Sequence, residues 1–296
     1  MTVLDVYRTP DERFAGIDFP APSYHETSDG LRIAYVDTGP ADAPAVWFMH
    51  GEPTWSYLWH DVIPPVRDAG FRCIAPDLVG FGRSDKPTDL AWYSYDQHVA
   101  AMASLLTALD LRDATLVVHD WGGPVGLRLA VEEPAAFGRL VIMDTGLFTG
   151  HQKMTDAWQA FRSFVERTED LPVGFLVQGA CKRELSDAEV AAYDAPFPTP
   201  ASKAGARAFP LMIPRSPDEP GATEGQTVLN ALKEDTRPTL MLWAAEDPII
   251  PPATGLRFAQ AIGRAEPEIV PDASHFLQED QGAMIGARIA EFLTKG

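Results

Sequence analysis

Short apolar runs recur along the chain, spaced so that a helix fits between them. AVWFMH (45–50), FRCIAPD (71–77), ATLVVHD (114–120), RLVIMDTG (139–146) and PTLMLWAAED (238–247) are apolar through most of their length. Strands buried on both faces of a sheet have this character. LRIAYVDTG (31–39) reads as an earlier strand and PEIVPDASH (267–275) as the last. A helix-like stretch from Ser56 to Ala69 precedes the strand at 71–77. GGPVGLRLAVEE (122–133) has apolar residues at helical spacing, and GAMIGARIAEFLTKG (282–296) reads as a closing helix. Such alternation predicts βαβ units around a mostly parallel sheet.

Between Gly146 and about Gly221 the rhythm changes. Strand-like runs vanish, and helix-like pieces such as TDAWQAFRSFVER and SDAEVAAYDA take over, broken by the Pro-rich APFPTPAS and PLMIPRSPDEPG. This predicts a helical cap, residues 147–217, inserted after the sixth strand of a core made of 1–146 and 218–296. Sites in α/β proteins form at the carboxyl ends of parallel strands, and a cap placed there roofs such a site.

VVHDWGGPVG is the most informative segment. A nucleophile elbow sets a reactive residue on a sharp turn between strand and helix, among small neighbours. Asp120 fills that slot, followed by Trp121, Gly122 and Gly123. The usual serine is absent, and Val118 stands where the serine motif prefers glycine. One reading is a carboxylate nucleophile kept ionised by the helix N-terminus behind it. The other is an N-cap aspartate, a common way to start a helix. His119 reads as a packed or hydrogen-bonded neighbour.

A covalent carboxylate mechanism leaves an ester, so a base must activate water and an acid must orient the base. His275, after the last strand, is placed for the base. Asp247, in AAEDPIIP, is placed for the acid, and the chain order nucleophile, acid, histidine is the hydrolase order. Asp144, at the end of the sixth strand, is a rival acid, and Glu246 adjoins Asp247. The loop HGEPTWSYLW (50–59) offers a backbone N–H at Glu52. With the N–H of Trp121 it makes a candidate oxyanion hole.

Composition narrows the classes. The chain has 296 residues with Lys+Arg 24 and Asp+Glu 42, a net charge of −18. Such a surface repels phosphate backbones and anionic lipid, so neither nucleic acid nor membrane is an expected partner. No apolar run reaches a membrane-spanning length. The N-terminal MTVLDVYRTPDERF lacks the basic start and apolar run of a signal peptide, which predicts a cytoplasmic protein. Cys73 and Cys181 give no disulfide framework and no metal spacing.

Taken together, HGEPTWSYLW, PDLVGFGRSDKP (76–87), HDWGGPVG and DASHFLQED resemble the haloalkane dehalogenases. The likeness covers most of the chain and is weakest in the cap. It implies an α/β-hydrolase fold, a mostly parallel eight-stranded sheet flanked by helices with the cap inserted. The expected reaction is hydrolysis of a small haloalkane to alcohol and halide through an aspartyl ester. No metal or organic cofactor is expected, and the protein is expected to be a monomer or small homo-oligomer.

The resemblance gives Asp120 the attack on the halogen-bearing carbon, His275 the activation of water, and Asp247 the orienting role. Trp121 would donate its indole N–H to the leaving halide. In the subfamily suggested by HGEPTWSYLW and YDAPFP (193–198) the second halide donor is a cap tryptophan. Trp158 is the only tryptophan between Gly146 and Gly221. A sister subfamily uses an asparagine directly after the HG pair. Glu52 occupies that position here and cannot donate when ionised. Phe148, Phe161, Phe164, Phe175, Leu176 and Phe197 are candidate pocket residues or ordinary core.

Three other readings stand beside this one. An epoxide hydrolase shares the fold and the aspartate but activates its substrate with cap tyrosines, and the cap has only Tyr193. A fluoroacetate-type site needs arginines near the nucleophile, and the nearest, Arg128, lies further along the helix. A silent ligand receptor of the same fold is a different class, and the intact Asp120, Asp247 and His275 count against it.

Overall fold

The computed structural model describes residues 4–295. Residues 1–3, part of the N-terminal segment considered above, and Gly296, the last residue of the expected closing helix, lie outside the described residues.

Eight strands form one sheet. They are β1 Ser23–Glu26, β2 Arg32–Thr38, β3 Ala45–Met49, β4 Arg72–Pro76, β5 Ala114–His119, β6 Phe137–Met143, β7 Thr239–Ala244 and β8 Glu268–Val270. Their order across the sheet is β8-β7-β6-β5-β3-β4-β2-β1. The first two pairings are antiparallel, β1 with β2 and β2 with β4, and the other five are parallel. All six residues of β5 are buried, which explains why its run is apolar without alternation. The register carries Met49 opposite Val118, Val118 opposite Ile142, and Ile142 opposite Met241. The strand ends are therefore nearly level.

The order reverses between β3 and β5, because the chain leaves β3 for β4 on one side and returns as β5 on the other. A crevice opens outside the carboxyl ends of strands at such a switch. The loops after β3 and β5 carry Gly51-Glu52 and Asp120-Trp121, so topology alone brings these motifs together.

Helices cover both faces: α1 Ile63–Asp68, α2 Tyr95–Ala108, α3 Gly122–Glu132, α8 Ala222–Glu234, α9 Pro252–Ala261 and α10 Leu277–Thr294. α3 packs tightly on β3. A Cβ at Gly122 would sit 2.1 Å from the Met49 carbonyl oxygen, so only glycine fits. Between β6 and α8 lie four further helices. They are α4 Asp156–Arg167, α5 Val173–Gly179, α6 Asp187–Asp194 and α7 Ala204–Met212. Local sequence starts two of them. Thr155 caps α4, accepting from the N–H of Trp158 at 3.1 Å, and Ser186 with Glu189 forms a capping box on α6.

Several local readings need correction. The stretch Ser56–Ala69 is not one helix. It is a 3₁₀ turn, Ser56–Trp59, followed by α1. Pro64 and Pro65 have no N–H to give and so fit only a helix start. The closing helix begins earlier, at Leu277, with a kink at Gln281. β1 and α2 escaped the sequence reading. In β1, SYHE is short and largely exposed, so it has no apolar signature.

The helical insertion is tied to the core by polar contacts. Trp55 Nε1 donates to the Ala192 carbonyl at 3.1 Å. The Asp280 carboxylate accepts from Lys182 N at 2.9 Å, Arg183 N at 2.8 Å and Ser274 N at 2.8 Å. Phe276 N donates to the Ala180 carbonyl at 3.3 Å.

Candidate active site

Asp120 follows β5 with φ +46°. Non-glycine residues avoid that region, so the turn is strained and is held by its surroundings. Thr145 Oγ1 donates to the Asp120 carbonyl at 2.5 Å, and Gly123 N donates to the same carbonyl at 2.9 Å. The side chain is pressed against the β3 loop: a Cβ at Gly51 would fall 2.3 Å from Asp120 Oδ1. The HG pair thus supplies the close approach that lets Glu52 N donate to Oδ1 at 2.8 Å. The backbone N–H of Trp121 also donates to the Asp120 carboxylate. Asp120 is therefore no ordinary N-cap: its carboxylate is held by one N–H of its own turn and one of another loop.

His275 Nε2 lies 3.7 Å from Asp120 Oδ2. Its Nδ1 lies 2.8 Å from Asp247 Oδ2. The other Asp247 oxygen accepts from Ile249 N at 2.7 Å and Ile250 N at 2.9 Å. Asp144 is also buried, but its carboxylate accepts from Ala244 N at 3.1 and 3.2 Å. Glu246 faces solvent and pairs with Lys182. Of the three acids weighed for the role, Asp247 is the one that contacts the histidine ring. Arg128 pairs with Asp96 and Glu132 on the outer face of α3.

Burial shapes the charges. Asp120 is raised by desolvation, opposed by the His275 charge and the two backbone N–H groups. Burial pushes His275 down, but Asp247 and Asp120 outweigh it and leave the imidazole above its ordinary value. Asp144 is raised well above the carboxylate range by burial and then by Asp247. Glu52 is raised likewise by burial and then by Asp120. Both influences disfavour the ionised form of the Glu52 carboxyl. Its Oε1 is buried without a hydrogen-bond partner.

A cavity of about 270 Å³ opens over Asp120. Among the described residues, Glu52, Asp120 and His275 are its only ionisable lining residues, and the rest of the wall is apolar side chain, indole, or glycine. Trp121 and Trp158 both line it, and no hydrogen bond joins either indole N–H to another described residue. Of the six candidates left open between pocket and core, Phe148, Phe161, Phe175 and Leu176 line it. Phe164 and Phe197 do not. Phe164 packs against the core, and Phe197 sits edge-on to Phe81 at 6.2 Å. Sequence reasoning missed Met154, Ile213, Ile249, Ile250 and Phe276. Of these, the Ile249-Ile250 pair stands beside Asp247 in AAEDPIIP and carried a usable signal. Tyr193 is fully buried, hydrogen-bonds Glu279 and is absent from the cavity wall.

Residues 44–281 match the family model described as the alpha/beta hydrolase fold, so the chain is a member of that fold family. Among curated relatives, a haloalkane dehalogenase from Mycolicibacterium paratuberculosis is 41% identical over 97% of this chain and 97% of the relative. One from Psychrobacter cryohalolentis is 40% identical over 98% of each. Among solved structures, the tetrameric haloalkane dehalogenase DpaA from Paraglaciecola agarilytica NO2 superposes with a TM-score of 0.91 at 33% identity, covering 96% of this chain and 97% of that one. The chain belongs to the haloalkane dehalogenases.

Proposed function

We propose that this protein hydrolyses small haloalkanes to alcohol and halide, with Asp120 as nucleophile, His275 as base, Asp247 as orienting acid, and Trp121 and Trp158 as halide donors. One observation carries the reading. A carboxylate cradled by two backbone N–H groups faces an apolar cavity walled by two indoles whose N–H groups have no hydrogen-bond partner among the described residues.

Glu52 N donates to Oδ1, and Oδ2 is assigned the attack. Oδ2 bonds to the halogen-bearing carbon, and the carbon–halogen electron pair leaves with the halide. Negative charge grows on the halogen only as the bond breaks, so indole donors aimed there lower the barrier rather than merely tightening substrate binding. An indole N–H suits a dry pocket, being a donor only on an apolar body.

The ester then hydrolyses. His275 Nε2 takes a proton from water, hydroxide adds to Asp120 Cγ, and the oxyanion is stabilised by the Glu52 and Trp121 N–H groups that already donate to this carboxylate. Collapse expels the alkoxide, which takes the proton back from His275 and leaves as the alcohol. The Asp120 carboxyl then releases the proton of its added hydroxyl to solvent, the one proton the overall reaction yields, and the carboxylate is restored. Esterification removes the Asp120 charge that helps keep the imidazole protonated. The base is therefore freer to accept a proton at the step that needs it.

Supporting the choice over epoxide hydrolysis, the single cap tyrosine is engaged with Glu279 and does not line the cavity. The unpaired Cys73 and Cys181 thiols fit a reducing compartment, and we place the enzyme in the cytoplasm. No helix among the described residues is long and apolar enough to cross a membrane.

The test is halide release from 1,2-dibromoethane and 1-bromobutane, with Asp120→Ala as control. Release that disappears in the variant supports the reading. A folded wild-type protein that releases halide from neither overturns it.

A further inference from the structure

His119 immediately precedes the nucleophile and is fully buried. Its Nε2 lies 2.8 Å from the backbone carbonyl oxygen of His275. A carbonyl only accepts, so Nε2 carries the proton. The other ring nitrogen, Nδ1, is buried with no partner. Burial and the neighbouring His275 hold the ring well below its ordinary value, so it stays neutral. The His119 and His275 ring centroids are 5.0 Å apart, and Phe276 flanks both rings at 5.9 and 4.9 Å.

We propose that His119 is a positioning residue that fixes the base relative to the nucleophile. One residue ends the strand whose next residue is Asp120, and its side chain grips the main chain of His275. The 3.7 Å gap between His275 Nε2 and Asp120 Oδ2 is thereby set from β5 directly. Asp247 orients the imidazole ring from Nδ1, and His119 places the backbone from which that ring hangs. Deacylation needs the base, water and Cγ in one geometry, whereas the alkylation step needs only Asp120 and the halide donors. Loss of the His119 bond therefore slows ester hydrolysis selectively.

This inference rests on the proposed dehalogenase reading. His119→Phe keeps a ring of similar size and removes the donor. His119→Gln returns an amide N–H at about the reach of Nε2. With 1-bromobutane, His119→Phe should lower steady-state turnover roughly 10- to 100-fold, the scale of a misplaced catalytic group. Its single-turnover halide release should stay near wild type, and the butyl ester should accumulate on Asp120, seen by intact-protein mass. His119→Gln should recover part of the loss and carry less ester. Normal turnover in a folded His119→Phe overturns the proposal. So does an equal loss of alkylation and turnover without ester, which marks a structural role only. No halide from wild type defeats the dehalogenase reading instead, so the two failures are distinguishable.

Discussion

The cavity has two sides built on different principles. Its floor is Asp120, His275 and the loops of Glu52 and Trp121, with Asp247 behind His275, and hydrogen bonds of 2.7 to 2.9 Å fix it. Its roof is Trp158, Phe161, Phe175 and Leu176 on α4 and α5, held mainly by packing. Hydrogen bonds fix direction as well as distance, which bond-making requires. Packing fixes volume and tolerates exchange of similar shapes. The floor thus sets the reaction, and the roof sets which molecules reach it.

Mutations on each side test that division, and the effects should shrink from floor to roof. Asp120→Ala should remove halide release altogether, a loss on the order of a million-fold if the nucleophile acts as it does in other covalent hydrolases. Asp247→Asn should cost about 10,000-fold in turnover, as an imidazole loses its orienting acid. Asp144→Asn measured beside it should cost far less. Comparable losses in both would break the assignment of Asp247.

The pH profile sharpens the same point. In the proposed mechanism neutral His275 is the base, and its imidazole sits above the ordinary value, so turnover should fall as pH drops through that raised value. Removing the Asp247 charge takes away its largest raising influence. The residual activity of Asp247→Asn should therefore survive to lower pH, visible in its acid limb.

Trp158→Phe should weaken halide quenching of tryptophan fluorescence and lower kcat/KM roughly 100-fold, the scale of one lost oxyanion-type donor. Phe175→Ala should be mildest. Phe175 is 70% exposed yet lines the cavity, so it stands where the cavity meets solvent. Its loss should change 1-bromobutane turnover by less than about 10-fold while shifting the preference toward longer chains. A large loss there would mean that the roof takes part in the chemistry.

The same division explains what could be read from the sequence. The floor lies in short motifs at strand ends, where residue type and chain order carry the chemistry. Asp120, His275, Asp247 and Glu52 were all found there. The roof lies on helices whose apolar residues look alike whether they face core or cavity. Phe164 was left open between cavity and core and Met154 was missed because periodicity marks a buried face without saying what it faces. Trp158 was found only because the insertion holds one tryptophan. The raised carboxyl of Glu52 was invisible for another reason: it depends on burial and on the Asp120 charge across a turn.

The Asp280 clamp has a bearing on how molecules come and go. That carboxylate grips Lys182 and Arg183 of the helical insertion with one set of bonds and Ser274, next to His275, with another. A wide swing of the insertion would drag the base with it. Entry and exit are therefore expected to pass by small rotations of single side chains at the rim, Phe175 foremost, as through a turnstile in a fixed wall.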